Sequence, residues 1–277
     1  MTDNTVLATV YATEFTEAYE QKQSWLRGTV QTKGEVKGDT FVFVLEGDAD
    51  EALERSANNN IPYADDNQTS TNCTLAEYHH LARKNSFDIF SSSVDQRLSM
   101  QRRGVISTNK KTDSLILTKL DTTTYDTNSG TAAAASLALL GEAVALLDAN
   151  FVPRDGERYG LLTPMAFQQM MKVNQFSSGD WVSDKPFMNI TQWRMWNSVK
   201  WAMHPGLSGV GTATAKCFVY HKWAAGHGLN KGNMVTKIGV NEEHDYSWAR
   251  TSSYQGAQLL RAAGVIRMKH NDTASLA

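Results

Sequence analysis

Cysteine is nearly absent from this chain: of 277 residues, only Cys73 and Cys217 carry a thiol. Two cysteines build neither a disulfide scaffold nor, by themselves, a four-ligand zinc site, and a reducing compartment is their simplest setting. Long apolar runs are missing too. The nearest, Thr131 to Leu147, is alanine-rich, carries Glu142 and falls short of the roughly 20 residues a membrane helix needs. Mean hydropathy is −0.40. The opening MTDNTVLATVYATEF lacks the basic stretch ahead of an apolar block that marks a secretory signal. The net charge of −2 excludes a strongly basic nucleic-acid binder. No Gly-x-x-x-x-Gly-Lys-Ser/Thr loop occurs. Gly226-His-Gly228-Leu-Asn-Lys-Gly232 is one residue too long for a dinucleotide fingerprint, and Gly206-Leu207-Ser208-Gly209 is not a nucleophile elbow.

What is present reads as globular: 41% apolar and 20% charged residues, in a chain long enough for one large domain or two ordinary ones. The charge is unevenly placed. Residues 1–66 hold 13 acidic against 5 basic side chains; residues 67–277 hold 22 basic against 16 acidic. Arg97 to Lys119 alone has 6 basic residues against Asp113. Such asymmetry lets the acidic end of one chain lie on the basic part of another, although two solvated faces that never meet give the same count.

Along the chain, residues 1–27 read as a polar arm with scattered Val6, Val10, Phe15 and Tyr19 and with Trp25 near its end; an arm needs something to lie against. Residues 28–47 read as a hairpin around Lys33 to Asp39, with Thr40 to Leu45 as a strand. Phe41, Phe43 and Leu45 share one face of it, Val42 and Val44 the other. A strand apolar on both faces wants cover on both, and the acidic stretch 48–68 offers none, so a neighbouring molecule is the expected cover. Residues 74–121 read as mostly helical, with Val94, Leu98, Val105, Ile116 and Leu120 on one face. A second helix is expected over 131–149, capped by Ser129 or Thr131 and stopped at Asn150 and Pro153. Strands follow at 158–162, 196–203, 216–221, 234–240, 246–253 and 264–268, and Thr163-Pro164 opens a helix. Helices and strands do not alternate regularly, which predicts an α+β fold.

Catalytic chemistry is hard to find. His221, His227 and His244 share a region with Glu242, Glu243 and Asp245, a possible metal-dependent enzyme site, but none has the tight i, i+4 spacing of a known motif. Trp181, Trp193, Trp196 and Trp201 suit core or interface packing better than a ligand surface. A chain of this size without a catalytic constellation points to a structural role.

Four segments in order, Asp113–Asp121, Asn150–Pro164, Cys217–Gly228 and Tyr254–Met268, resemble the tailed-phage major capsid proteins of the Hong Kong 97 type, over roughly residues 20–270. The resemblance implies an α+β coat fold with an N-terminal arm (1–28), an extended β-hairpin loop (29–80), a peripheral domain with a long spine helix (81–154 and 250–277) and an axial domain (155–249). It implies self-assembly into pentamers and hexamers of an icosahedral head around double-stranded DNA, without sequence specificity, enzymatic activity, cofactor, metal or membrane. The chain would pass from the host cytoplasm to the virion. Expected partners are further copies, a separate scaffolding protein (since Met1 is retained), a portal and a decoration protein. Expected inter-subunit contacts are Trp25, Lys33, Lys37, Phe41, Phe43, Arg97, Arg102 and Arg103. Some relatives cross-link a loop lysine to a neighbour's asparagine; the asparagine and acid partners of Lys33 and Lys37 are not recognisable, so no cross-link is expected. The alternatives are an encapsulin-like nanocompartment shell and the histidine-based metalloenzyme.

Overall fold

Two breaks in the chain fall where local chemistry puts them. Asn150 closes a helix with its own N–H returning to Leu146 O and Asp148 O, and the Thr163 side chain accepts from Ala166 N to open the next, with proline at its first position. The computed structural model describes residues 23–34, 38–47, 51–55, 57, 61, 67–91, 96–127, 133–177, 193–230 and 235–274. In chain order the elements are β1 (Gln31–Lys33), β2 (Thr40–Glu46), β3 (Gln68–Thr74), β4 (Ala76–Asn85), α1 (Ser86–Ser91) and the 25-residue α2 (Gln96–Leu120). Then come α3 (Leu137–Ala149), β5 (Arg158–Leu162), α4 (Pro164–Met171), α5 (Asn174–Ser177), β6 (Arg194–Trp196), β7 (Val199–Met203) and β8 (Ala215–His221). The last are β9 (Ala225–Leu229), β10 (Val235–Asn241), β11 (Tyr246–Leu259) and β12 (Val265–His270).

Two five-stranded sheets result. The first is organised by β11, whose 14 residues pair with β4 on one edge and with β10 and then β9 on the other; β1 joins β9 in parallel. The second runs β12-β8-β5-β7-β6, with only β5 and β7 parallel. β2 and β3 form a separate antiparallel ribbon.

The second sheet carries a continuous apolar interior. α3 lays Leu139, Leu140, Ala143, Val144 and Leu147 on it, α4 adds Ala166 and Met170, and the strands supply Trp201, Val219, Ile266 and Met268. α3 starts six residues later than the sequence predicts. Ser136 caps it by accepting from Leu139 N, just ahead of the first apolar turn; Ser129 and Thr131 lie outside the described residues. The predicted strand 196–203 is a tight hairpin: Asn197 and Ser198 sit at φ +48° and +61°, the left-handed pair that a two-residue β-turn requires.

Other corrections concern the first half. β1 does not pair with β2; β2 pairs with β3, so the hairpin spans 40–74 and the acidic stretch lies between its strands. Residues 76–85 are strand, held by a ten-residue register with β11 that no local alternation announces. On α2 the buried positions include the row Met100, Gly104, Thr108, Thr112, Ile116 and Leu120, with Asn109, Asp113 and Leu117 beside it, while Leu98 and Val105 are exposed. Steps of four residues advance about 40° each around a helix. The buried stripe therefore winds, with Gly104 facing the first sheet and Ile116 and Leu120 facing the core formed by Leu26, Phe218, Tyr220 and Val265. At Gly104 helix and strand approach closely: a Cβ there would stand 2.2 Å from Thr251 Oγ1. The apolar periodicity missed the first half of this stripe because small and hydroxylated residues make it.

After α2, residues 125–127 run beside β12, with Arg267 N donating to Tyr125 O at 2.9 Å and Thr127 N to Arg267 O at 3.0 Å. Lys216 and Arg267 clasp Asp121, and Arg267 and Lys269 clasp Asp126. The Arg267 guanidinium holds the Asp126 carboxyl below the usual range, outweighing slight burial, with Lys269 adding to it. α3 and β12 pack with β5–β8, while β9 and β10 pair with β11. Among the described residues no helix is long and apolar enough to cross a membrane.

Candidate functional site

The root of the N-terminal arm is fixed by one carboxylate. Asp113, buried on α2, accepts from Ser24 Oγ at 2.6 Å and from the Trp25 and Leu26 amides at 3.2 Å each. Burial alone would push its carboxyl up; the nearby His204 ring, the Ser24 hydroxyl and the two amides outweigh that and hold it below the usual range. His204 Nε2 stands 3.8 Å from Oδ2. Trp25 packs edge-on against the His204 ring, with centroids 5.6 Å apart. Leu26 and Val30 then enter the core, and Thr29 Oγ1 meets Tyr220 OH at 2.5 Å. Trp25 therefore docks on its own chain.

The β2–β3 ribbon has two unlike faces. Phe43 is 3% exposed, packed on Cys73 and Leu260 with Phe41 edge-on at 4.7 Å. The far end of its ring meets Gly226, where a Cβ would come within 2.6 Å of it, so only glycine accommodates the contact. Val42 and Val44 on the opposite face are 46% and 68% exposed. The alternation of β2 is as expected, but the cover for the phenylalanine face comes from this chain. Phe43 is unavailable to a neighbour, Phe41 and Leu45 are half-buried, and the face left open is that of Val42 and Val44. Lys33 is exposed at the end of β1; Lys37 lies outside the described residues. The Arg261 guanidinium reaches the carbonyl of Glu46, so the ribbon lies back along the far end of β11.

Arg97, Arg102 and Arg103 are exposed on α2, Arg97 with its guanidinium 3.4 Å from Ser247 Oγ. Lys111 sits over the Tyr78 ring at 4.7 Å, and Arg83 over Tyr246 at 5.1 Å. Val235, Ile238 and Val240 of β10 and Leu81 of β4 remain exposed.

The three histidines expected as a possible metal site go to three places. His221 caps the turn after β8 and faces Asp155 at 3.1 Å. His227 is fully buried, its Nε2 3.3 Å from Gln255 Oε1, which also accepts from Thr112 of α2 at 2.7 Å. Burial pushes its pKa down to about 4, so it is neutral. His244 is stacked on Tyr246 in an exposed turn. Among the described residues no group of three or more side chains is arranged to hold a metal.

Sequence inspection missed a cluster with the outward form of a nucleophile set. Cys217 Sγ lies 3.7 Å from His270 Nδ1, and His270 Nε2 lies 2.7 Å from Asp272 Oδ1; Thr163 Oγ1 donates to Asp272 Oδ1 at 2.6 Å and Gly211 N to Oδ2 at 2.9 Å. The four side chains are buried, and burial pushes the thiol up to about 12. A thiol of that pKa is not a nucleophile at neutral pH. The cluster fastens the end of β12 to the start of α4 and to the turn before β8. Its members are scattered over more than a hundred residues, so no local spacing announces them.

A long helix laid over one sheet, a second sheet with a closed core and a ribbon with one open face are the fold of tailed-phage capsid subunits. The structure is similar to that of Mycobacterium phage Che8, with 14% identity, TM-score 0.77, and 98% of this chain and 99% of that one covered. It is similar to the capsid of a native GTA particle, with 10% identity, TM-score 0.75 and 97% of each chain covered. It is also similar to the capsid of Ralstonia phage GP4, with 11% identity, TM-score 0.71, and 97% and 96% covered. At such identities the likeness is one of fold. The family model described as phage capsid protein matches residues 4–272. The chain belongs to that family of structural, shell-forming proteins, and the expected Hong Kong 97-type α+β fold is the one observed. No curated protein matches the sequence.

Proposed function

We propose that this chain is the major subunit of an icosahedral phage head, assembling as pentamers and hexamers into a shell that encloses double-stranded DNA. It moves from the host cytoplasm into the virion and works with a separate scaffolding protein, a portal and a decoration protein. The observation that carries this, within the capsid family, is the uncovered Val42/Val44 face of a ribbon whose other face is closed by its own chain. An exposed apolar strand face beside unpaired ladder edges is a liability unless another molecule covers it. Charge separation agrees. The sequence between the ribbon strands, residues 48–66, is acidic, while Arg97 and Arg102 are exposed on α2, Arg97 reaching Ser247 near the start of β11. Neighbouring copies bring the two together, and heterologous contacts of this kind close into rings. In this arrangement Val42, Val44, Lys33, Lys37, Arg97 and Arg102 meet the neighbour. Trp25, Phe41 and Phe43 hold arm and ribbon in position for it. The division into arm 1–28, loop 29–80, peripheral 81–154 with 250–277, and axial 155–249 is part of the same proposal.

Negative-stain microscopy with light scattering on the protein expressed alone tests it. Closed shells, or five- and six-membered rings, are the expected result. A compact monomer that never assembles at high concentration, with or without the other head proteins, overturns it.

A further inference from the structure

One face of α2 meets β4 across a cleft that the shell reading does not use. Arg103, Ile106, Ser107 and Lys110 recur at i, i+3, i+4 and i+7, so they stand on one side of the helix, and His80 of β4 completes the lining. The cleft is half open, with a volume of about 190 Å³. Arg103 makes no ion pair among the described residues, and the buried Nδ1 of His80 has no hydrogen-bond partner among them. Among the described residues no carboxylate lines the cleft. The acid of α2, Asp113, is buried against the arm, and Glu77 of β4 lies on the opposite strand face, paired with His79 at 2.9 Å.

We propose that this cleft is a phosphate-binding site. A planar guanidinium fork, an ammonium, a hydroxyl and an imidazole approach it from both walls. Donors so spread match the several acceptor oxygens of a tetrahedral dianion better than the two of a planar carboxylate. The volume exceeds the share of a single water, about 30 Å³, several-fold, so a phosphate enters with part of its hydration. The phosphate is either free or carried by a nucleic-acid backbone; the recognising chemistry is the same.

The test is calorimetric titration of the full-length protein with inorganic phosphate at low ionic strength, with Arg103→Gln, Arg103→Lys, Lys110→Gln and the remote Lys172→Gln. The expected result is saturable binding, weakened about tenfold or more (about 1.4 kcal/mol) by Arg103→Gln and by Lys110→Gln. Arg103→Lys weakens it less, because it keeps the charge but loses the fork, and Lys172→Gln leaves it unchanged. Thermal melting of each variant separates loss of the site from loss of the fold. If a short DNA duplex binds, is displaced by phosphate and fails in the same variants, the backbone is the source; if the duplex leaves phosphate binding untouched, the free ion is. Absence of saturable phosphate binding overturns the proposal. So does a peptide spanning residues 48–66 that displaces phosphate and binds more tightly, since that makes the occupant a carboxylate of a second copy. Neither result bears on whether shells form.

Discussion

The two sheets of this subunit solve the burial problem in opposite ways. The β5–β8 and β12 sheet closes a core within the chain, with Trp201, Leu147, Val219 and Met268 almost wholly out of water under α3 and α4. The sheet centred on β11 meets α2 through Gly104, Thr108, Thr112 and Gln255, and leaves Leu81, Val235, Ile238 and Val240 in solvent. The first stabilises the folded chain by hydrophobic burial, the second by close approach and hydrogen bonding. A subunit divided in this way folds on one half and presents the other.

That contrast is open to attack from several sides. Trp201→Ala, in the closed core, is expected to cost about 3–5 kcal/mol and to unfold the chain or sharply lower its melting temperature in calorimetry; a small effect would mean the core is not the folding unit. Asp113→Ala strips the acceptor from one hydroxyl and two amides of the arm root, at an expected cost of about 2–3 kcal/mol. Limited proteolysis should then cut before Trp25, and an unchanged cleavage pattern would remove Asp113 from its role as anchor. His227 tests the polar half by pH. Its folded pKa of about 4 lies below the unfolded value of 6.5, so the folded state binds fewer protons. Stability is present in full above pH 6.5 and is lost as pH falls towards 4, by about 2 kcal/mol at pH 5. In urea denaturation His227→Gln should flatten that slope, and a slope that survives belongs to other groups. Val44→Ser is the mildest for the monomer, within about 0.5 kcal/mol, yet it should slow or abolish shell formation in light scattering. Normal assembly would free the valine face from any subunit contact.

Legibility in the sequence followed the same divide. Elements whose signals are local were readable: the Asn150 stop, the Thr163-Pro164 start, α3's apolar turns and the strand alternation of β2. The polar half was not. β4 looked helical because Tyr78-His79-His80-Leu81 has no clean period and its strand state comes from pairing with β11. The buried side of α2 was misplaced because glycine and threonine, which do not register as apolar, form its first half. Phe43 was expected to await a neighbour because Gly226, which receives its ring, lies far along the chain. The Cys217–His270–Asp272 cluster was invisible for the same reason: pairing and folding, not spacing, bring its members together.

The joint after α2 also has a mechanical meaning. Asp121 and Asp126 are gripped by Lys216, Arg267 and Lys269, and residues 125–127 are bonded along β12. A pull along the helix axis loads these links in parallel, in shear, so that they share the force and do not open one after another like a zipper. The helix then acts as a tie-rod welded at its C-terminal end, and strain applied to the β11 sheet reaches the β8–β12 sheet without a soft hinge between them.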